Sequence, residues 1–469
     1  MCKSVCVIGG GACGLATVRA FLEEGGFEKV VGFEQRASVG GIWNYSERAD
    51  QNLNIPSVDP LAVVNPIKTA QCYVWPNAVY DALETNTPYP LMEFRDHKFP
   101  ETTPLFPHRS AVLDYVSRYG EDLRQHYRFN TRVVDVRRRH KWLVRSRAVC
   151  DATEGGLKES DAVPDTTEEY DAVMVATGVY DLPLIPELTG LREWHEKFPN
   201  TILHSKTFRS PRELAGIEGN ILVIGNSASG IDICYQFARC TRRKIYKSAR
   251  SASRVPGGTS DLVIEMPDIS HLEPQTASVY FVDGRRLDNV GCIVFATGFL
   301  RSLPFFAEIN TSDKPLITDG NRIHGLYRHC WSYEYPGLAF IAISRYVLPF
   351  HVAEIQGTWL AKILQKKIAL PAYVEMASQE RQLLSSRGSR PSFHDLLYPD
   401  DIEYMNLLME DIRMASDGGF LPKEWTEMEI ALRRNTKLLK ARCLQHFERT
   451  GHHLTLRDAL SMDIMETRQ

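Results

Sequence analysis

Gly9, Gly11 and Gly14 stand at the spacing G-x-G-x-x-G directly after the apolar run Val5 to Ile8, and a carboxylate, Glu34, closes the next apolar run with Gln35 beside it. Glycines so spaced allow a tight turn, close approach of backbone to a pyrophosphate and close packing of helix on strand. The helix that follows presents its unpaired N–H groups to phosphate oxygens, and a carboxylate in the place of Glu34 accepts ribose hydroxyls. The chemistry expected here is dinucleotide binding.

Just beyond, Val39-Gly40-Gly41-Ile42-Trp43-Asn44 narrows the choice of dinucleotide. Paired glycines admit a ribityl diphosphate against the backbone, and Trp43 offers a flat wall beside a flavin. FAD is therefore expected at Gly9, Gly11, Gly14, Glu34, Gln35, Gly41, Ile42 and Trp43, although ordinary core packing would account equally well for Trp43 alone.

A second turn, Gly225-Asn226-Ser227-Ala228-Ser229-Gly230, follows the apolar run Asn220 to Ile224. Ser227 replaces the middle glycine and can donate its hydroxyl to a phosphate, as can Ser229. The next strand end reads Tyr246-Lys247-Ser248-Ala249-Arg250 and has no acid for a ribose. Ser248 and Arg250, with Lys247 near them, suit a 2′-phosphate, because a guanidinium offers forked donors to phosphate oxygens. NADPH is favoured over NADH; the alternative is a merely solvated basic strand end.

These motifs require positioning elements. The pattern predicts a strand, a helix to about Glu24 and a strand Val30 to Glu34, then an irregular stretch from Asn52 to Pro107. A helix is expected over Ser110 to Gln125, a strand pair over Thr131 to Arg137 and Lys141 to Arg147, and an acidic surface loop over Cys150 to Glu169. Two strands end in Ala-Thr-Gly, at Ala176-Thr177-Gly178 and Ala296-Thr297-Gly298, which adds Gly178, Thr297 and Gly298 to the binding residues. Pro183 and Pro186 mark a crossing between units. The fold class expected is α/β, with two Rossmann-like dinucleotide-binding domains, the NADPH domain (184–299) inserted into an FAD domain made of 1–183 and 300–469.

The 469 residues carry a net charge of −3, without the basic excess that nucleic acid binding needs. Ten cysteines, none in a Cys-x-x-Cys pair, read as reduced thiols and remove the dithiol relay of flavin disulfide reductases. A strand starting this early leaves no room for a signal segment, and no apolar run reaches the ~20 residues of a spanning helix. A cytoplasmic protein is expected, with no metal site.

With the two glycine turns, Gly40-Gly41-Ile42-Trp43 and both Ala-Thr-Gly ends in view, the chain resembles the class B flavin-containing monooxygenases. Tyr80-Asp81-Ala82-Leu83-Glu84-Thr85-Asn86 is similar to that family's Tyr-x-x-Leu-x-Thr-Asn segment, whose asparagine sits beside the flavin ring, and Val352 to Gln356 looks like its Ala-Glu-x-Gln segment near the cofactors. The family's pattern F-x-G-x-x-x-H-x-x-x-[YF] is met by Phe198, His204 and Phe208, with Asn200 where glycine is expected. Phe208 in place of tryptophan separates the chain from Baeyer–Villiger relatives, and His204 looks like a linker residue rather than an acid or base.

The resemblance implies that NADPH reduces FAD and that O2 adds at flavin C4a. The hydroperoxide then gives its distal oxygen to a nucleophilic nitrogen or sulfur of a small molecule, with Asn86 both in the catalytic role and among the cofactor-binding residues, and Gln356 beside the cofactor. Rival readings are a Baeyer–Villiger enzyme acting on a ketone and a non-catalytic, redox-responsive flavoprotein. Homo-oligomer formation is left open. The segment Trp425 to Phe447 reads as a helix for a membrane surface, for the FAD domain or for a second subunit.

Overall fold

The computed structural model describes residues 2–47, 53–68, 73–149, 164–415 and 418–461. Val5, Cys6 and Val7 in the strand Ser4–Ile8 are wholly buried, as a strand covered on both faces requires. Lys29–Phe33 and Ala172–Val175 flank it, both parallel. The seven-stranded sheet runs in the order Leu326–Tyr327, Trp331–Ser332, Leu338–Phe340, Ala172–Val175, Ser4–Ile8, Lys29–Phe33 and Tyr127–Arg128. Its strands thus come from both sides of the second nucleotide turn.

That second turn belongs to a separate five-stranded parallel sheet, in the order Ile202–His204, Val290–Phe295, Asn220–Ile224, Ile245–Ser248 and Val263–Met266. The chain leaves the first unit through Leu182–Pro183 and comes back through Phe299–Leu300. These two segments pair antiparallel, Leu182 opposite Leu300, so the insertion hangs on a two-strand stem. After the insertion the chain returns to the first unit, where Pro349–Leu364 packs on Ala12–Glu24 so closely that a Cβ at Gly357 would lie 3.1 Å from Thr17 Cα.

Two local expectations change. The helix expected over Ser110 to Gln125 spans only Arg109–Tyr119, ending at Gly120, and a 3-10 turn Arg124–His126 follows. The acidic stretch is not loop throughout: residues 150–163 lie outside the described residues, but Thr166–Tyr170 is a strand antiparallel to Trp142–Ala148. Its β-branched threonines and inward Tyr170 suit a strand with one face in solvent, and Glu168 pairs with Arg128 at 2.8 Å. The helix read at Trp425 to Phe447 spans Glu427–Thr450 and opens with the Thr426/Glu429 capping box. It buries Leu432 and Leu439 in a cluster with Leu91, Leu105 and Phe106 of the first unit, and its Glu448 accepts a hydrogen bond from Tyr235 of the second. This helix is a strap across both units. No helix among the described residues is long and apolar enough to cross a membrane.

Candidate functional site

The two glycine turns are built alike. Gly9 has φ +114°, and a Cβ there would lie 2.6 Å from Ala176 O; Gly225 has φ +123°, with its Cβ 2.3 Å from Ala296 O. Each Ala-Thr-Gly strand end is thus pressed on the first glycine of its own turn, and Gly178, Thr297 and Gly298 flank the turns. A Cβ at Gly14 would lie 1.9 Å from Gly9 O, and one at Gly230 2.3 Å from Gly225 O. In both folds the third glycine lets the helix start directly over the turn.

The middle position makes a different demand. Gly11 and Ser227 are the N-caps of their helices, both in extended backbone, with φ −77° and −106°. Extended backbone suits any residue, so only space decides. Gly11 faces the second glycine pair: a Cβ at Gly41 would be 2.8 Å from Gly11 Cα, and Gly40 N donates to Gly10 O at 3.0 Å. Ser227 is exposed and has room for its side chain; Ser229, half-buried, follows in the first turn of the same helix. The side-chain-free cradle between Gly10-Gly11 and Gly40-Gly41 fits the pyrophosphate and ribityl chain of FAD.

Glu34 is buried at the rim of this cradle, accepting from Gly10 N at 2.7 Å and from Arg36 N at 2.8 Å. Burial raises its pKa against the opposing Arg36 charge and these backbone donors. Gln35, Ile42 and Trp43 are half-buried. Trp43 packs on the edge of the first core, so the core-packing account of it holds for part of the ring.

Register revises the second site. Gly9 N donates to Phe33 O at 2.8 Å and Gly225 N to Ser248 O at 3.0 Å. Ser248 therefore corresponds to Phe33, Ala249 to Glu34 and Arg250 to Gln35. Ser248 is turned inward, 2% exposed, and its Oγ donates to Pro267 O at 2.7 Å, so it is not free for a phosphate as expected. Lys247 is also turned in, paired with Glu265 at 2.8 Å. Arg250 alone of the three points outward, its side chain 75% exposed and 3.1 Å from Asp268. A methyl group where NAD sites hold a carboxylate, with a guanidinium next to it, fits a 2′-phosphate. Arg250→Ala should raise the KM for NADPH by about tenfold or more, the loss of one charge-assisted contact, and leave that for NADH within about twofold. Equal effects on both cofactors in steady-state kinetics would remove Arg250 from the 2′-phosphate site.

Asn86 is half-buried, and its carboxamide makes no hydrogen bond to any other described residue. Its loop is fastened on both sides: Thr85 N donates to Pro107 O at 2.9 Å, and Thr85 Oγ1 to Thr87 O at 2.8 Å. The segment is also stapled to the Gly40–Asn44 turn. Asn77 Nδ2 donates to Asn44 O, Arg109 N donates to Leu83 O at 2.9 Å, and the Arg109 guanidinium lies 3.7 Å over the Tyr45 ring. An uncommitted amide is thereby held next to the segment that closes the FAD cradle.

His204 is fully buried, with Nε2 donating to Gly298 O at 2.9 Å and Nδ1 accepting from Lys206 N at 3.0 Å. Burial pushes its pKa down to about 3, so it is a neutral linker holding the second Ala-Thr-Gly end. Asn200 adopts φ +66°, keeping the left-handed turn without glycine. Gln356 is 1% exposed and spent within the protein, accepting from Ala342 N at 2.7 Å and donating to Tyr404 Oη at 2.7 Å. It shapes the turn after Leu338–Phe340 rather than offering a free donor. Sequence reasoning missed Arg209, which donates to Asn77 O at 3.2 Å and Lys206 O at 2.9 Å; its place directly after Phe208 was the available signal.

The model of the flavin-binding monooxygenase-like family matches residues 2–77, 75–264 and 260–417. The protein belongs to this family. A flavin-containing monooxygenase of Amanita muscaria, iboF, is 30% identical over 89% of this chain and 89% of its own length. The thiol-specific monooxygenase of Saccharomyces cerevisiae is 26% identical over 92% and 91%. The structure of S-allyl-L-cysteine S-oxygenase from Allium sativum superposes with a TM-score of 0.75, covering 98% of this chain and 97% of that one at 23% identity. The seven-stranded sheet and the inserted five-stranded parallel sheet, each with its own glycine turn, agree with the fold of these flavin monooxygenases.

Proposed function

We propose that this monooxygenase uses FAD and NADPH to transfer one atom of O2 to a nucleophilic sulfur or nitrogen of a small molecule. The observation that carries this reading is the joining of two dinucleotide turns to one uncommitted carboxamide, Asn86, stapled beside the first. FAD, when bound, would supply oxygen activation, and NADPH the two electrons. The residues bind and orient: Gly9, Gly11, Gly14 and Gly41 admit the FAD backbone, Glu34 takes a ribose, and Ser227, Ser229 and Arg250 take the second nucleotide's phosphates. The Asn86 amide donates where negative charge develops. A soft nucleophile needs no base to abstract a proton from it, so the reading asks for no acid–base pair at the site. Sulfur is favoured by two relatives, one named thiol-specific and one an S-oxygenase. Free thiols at eight described cysteines suit a cytoplasmic setting.

The test is a product screen. Purified FAD-loaded protein receives NADPH, O2 and, separately, thioethers, thiols, secondary amines, hydroxylamines and ketones, with product and H2O2 both measured. A sulfoxide, sulfenate-derived product or N-oxide formed in step with NADPH consumption is expected. Ester formation from ketones alone would sink the reading in favour of Baeyer–Villiger chemistry, and no substrate-dependent product would favour a non-catalytic flavoprotein.

A further inference from the structure

The loop that carries Asn86 is moored to the other nucleotide domain. Tyr80, 4% exposed, donates its hydroxyl to the carboxylate of Asp232, which lies in the second turn of the helix Ala228–Thr241 that starts at the Ser227 turn. Gln236, one turn on, donates to Asp232 Oδ2 at 3.0 Å and to Ala82 O at 3.2 Å. The Tyr80 ring meets Phe208 edge-on at 5.5 Å and shares an apolar cluster with Ile233 and Phe237 of the same helix. Asp81 N donates to Arg209 O at 2.9 Å. On the far side, Glu84 pairs with Lys440 of the C-terminal strap at 2.9 Å.

We propose that Tyr80 and Asp232 form a positioning pair that couples the helix at the NADPH phosphate turn to the loop that sets Asn86. The proposal rests on the reading of the second turn as the NADPH site. A buried hydrogen bond to a charged acceptor is strong enough to transmit a small shift of the helix, because the Tyr80 ring is fixed by Phe208 and cannot follow a different path. Through this pair, NADP+ held at the Ser227 turn orders the loop, and the Asn86 amide stays in place while oxygen is transferred. The groups facing the Asp232 carboxylate are Tyr80, Gln236, Glu84 and Lys440. Burial raises its pKa to about 6, with Glu84 adding to the rise and Tyr80, Lys440 and Gln236 opposing it. Protonation as pH falls through that value removes the charged acceptor and weakens the mooring.

Hydrogen exchange measured by mass spectrometry on FAD-loaded protein, with and without NADP+, tests the coupling without any turnover. NADP+ should slow exchange across residues 78–88 of the parent by about tenfold. Tyr80→Phe, which keeps the ring on Phe208, should lose most of that protection while still binding NADP+. In turnover the same variant should release a larger share of H2O2 with flavin reduction by NADPH unchanged. The parent's H2O2 share should rise below about pH 6, whereas that of Asp232→Asn, which keeps an acceptor but does not titrate, should stay flat. Protection that is absent in the parent despite NADP+ binding, or intact in Tyr80→Phe, overturns the proposal. A parent that fails to bind NADP+ refutes the assignment of the second site instead, and intact protection with no oxygenated product refutes only the reaction.

Discussion

Asn86→Ala should bind FAD in full and consume NADPH, yet return nearly all of the reduced oxygen as H2O2. The FAD cradle is lined by backbone at Gly10-Gly11 and Gly40-Gly41, which the truncation leaves intact. Its carboxamide makes no hydrogen bond to other described residues, so truncation orphans no partner and should cost little stability. What the variant lacks is a fixed donor at the place where charge develops, a loss on the order of 10²-fold to 10³-fold in the step that needs it. The FAD-to-protein ratio from the visible spectrum, the NADPH rate, and the split between oxygenated product and H2O2 measure each part separately. Asn86→Asp should fail in the same way, since an ionised carboxylate only accepts. Parental coupling in Asn86→Ala would remove the residue from the chemistry, and loss of FAD would make it a binding residue.

The features legible in the sequence were those set by local backbone demands. Gly14 and Gly230 are each forced by a contact inside their own turn, so spacing alone announced them, whereas Gly9 and Gly225 are pressed by the Ala-Thr-Gly ends that stand far along the chain. Ser248 misled because the last residue of a strand points in or out according to register, and register shows only where Gly225 N meets Ser248 O. The same comparison brings forward Ala249, a residue without chemistry of its own. Gln356 looked like a cofactor ligand from its motif, but its amide answers Ala342 N and Tyr404 Oη, two partners distant in sequence. The strand Thr166–Tyr170 was hidden by its polar composition, since the outward face of an edge strand carries no apolar signal. The course of Glu427–Thr450 over both units is likewise tertiary: a capping box and an apolar stripe give a helix but not its neighbours.

The matched glycines allow the two dinucleotide sites to be separated by one methyl group each. In Gly14→Ala the added Cβ meets Gly9 O at 1.9 Å, and in Gly230→Ala it meets Gly225 O at 2.3 Å. Neither clash is relieved by a rotamer, because both partners are backbone; helix and strand must part. Overpacking of this kind costs about 1–3 kcal/mol or more, and here the strain falls on the turn that faces the phosphates. Gly14→Ala should therefore be isolated without FAD and with lowered thermal stability, since its turn sits in the seven-stranded sheet that both halves of the first unit share. Gly230→Ala should keep FAD and its visible spectrum, because the inserted unit is joined through the Leu182–Pro183 and Phe299–Leu300 stem. Its flavin should be reduced by dithionite as in the parent, while reduction by NADPH should slow by about 100-fold or more as the helix N-terminus moves off the phosphate position. Stopped-flow reduction with each reductant distinguishes these outcomes. If Gly230→Ala also lost FAD, the two sites would not be independent, and the displaced helix would act through Asp232 and Gln236 on Tyr80 and Ala82, or through the strap Glu427–Thr450, which contacts both units through Lys440 and Glu448.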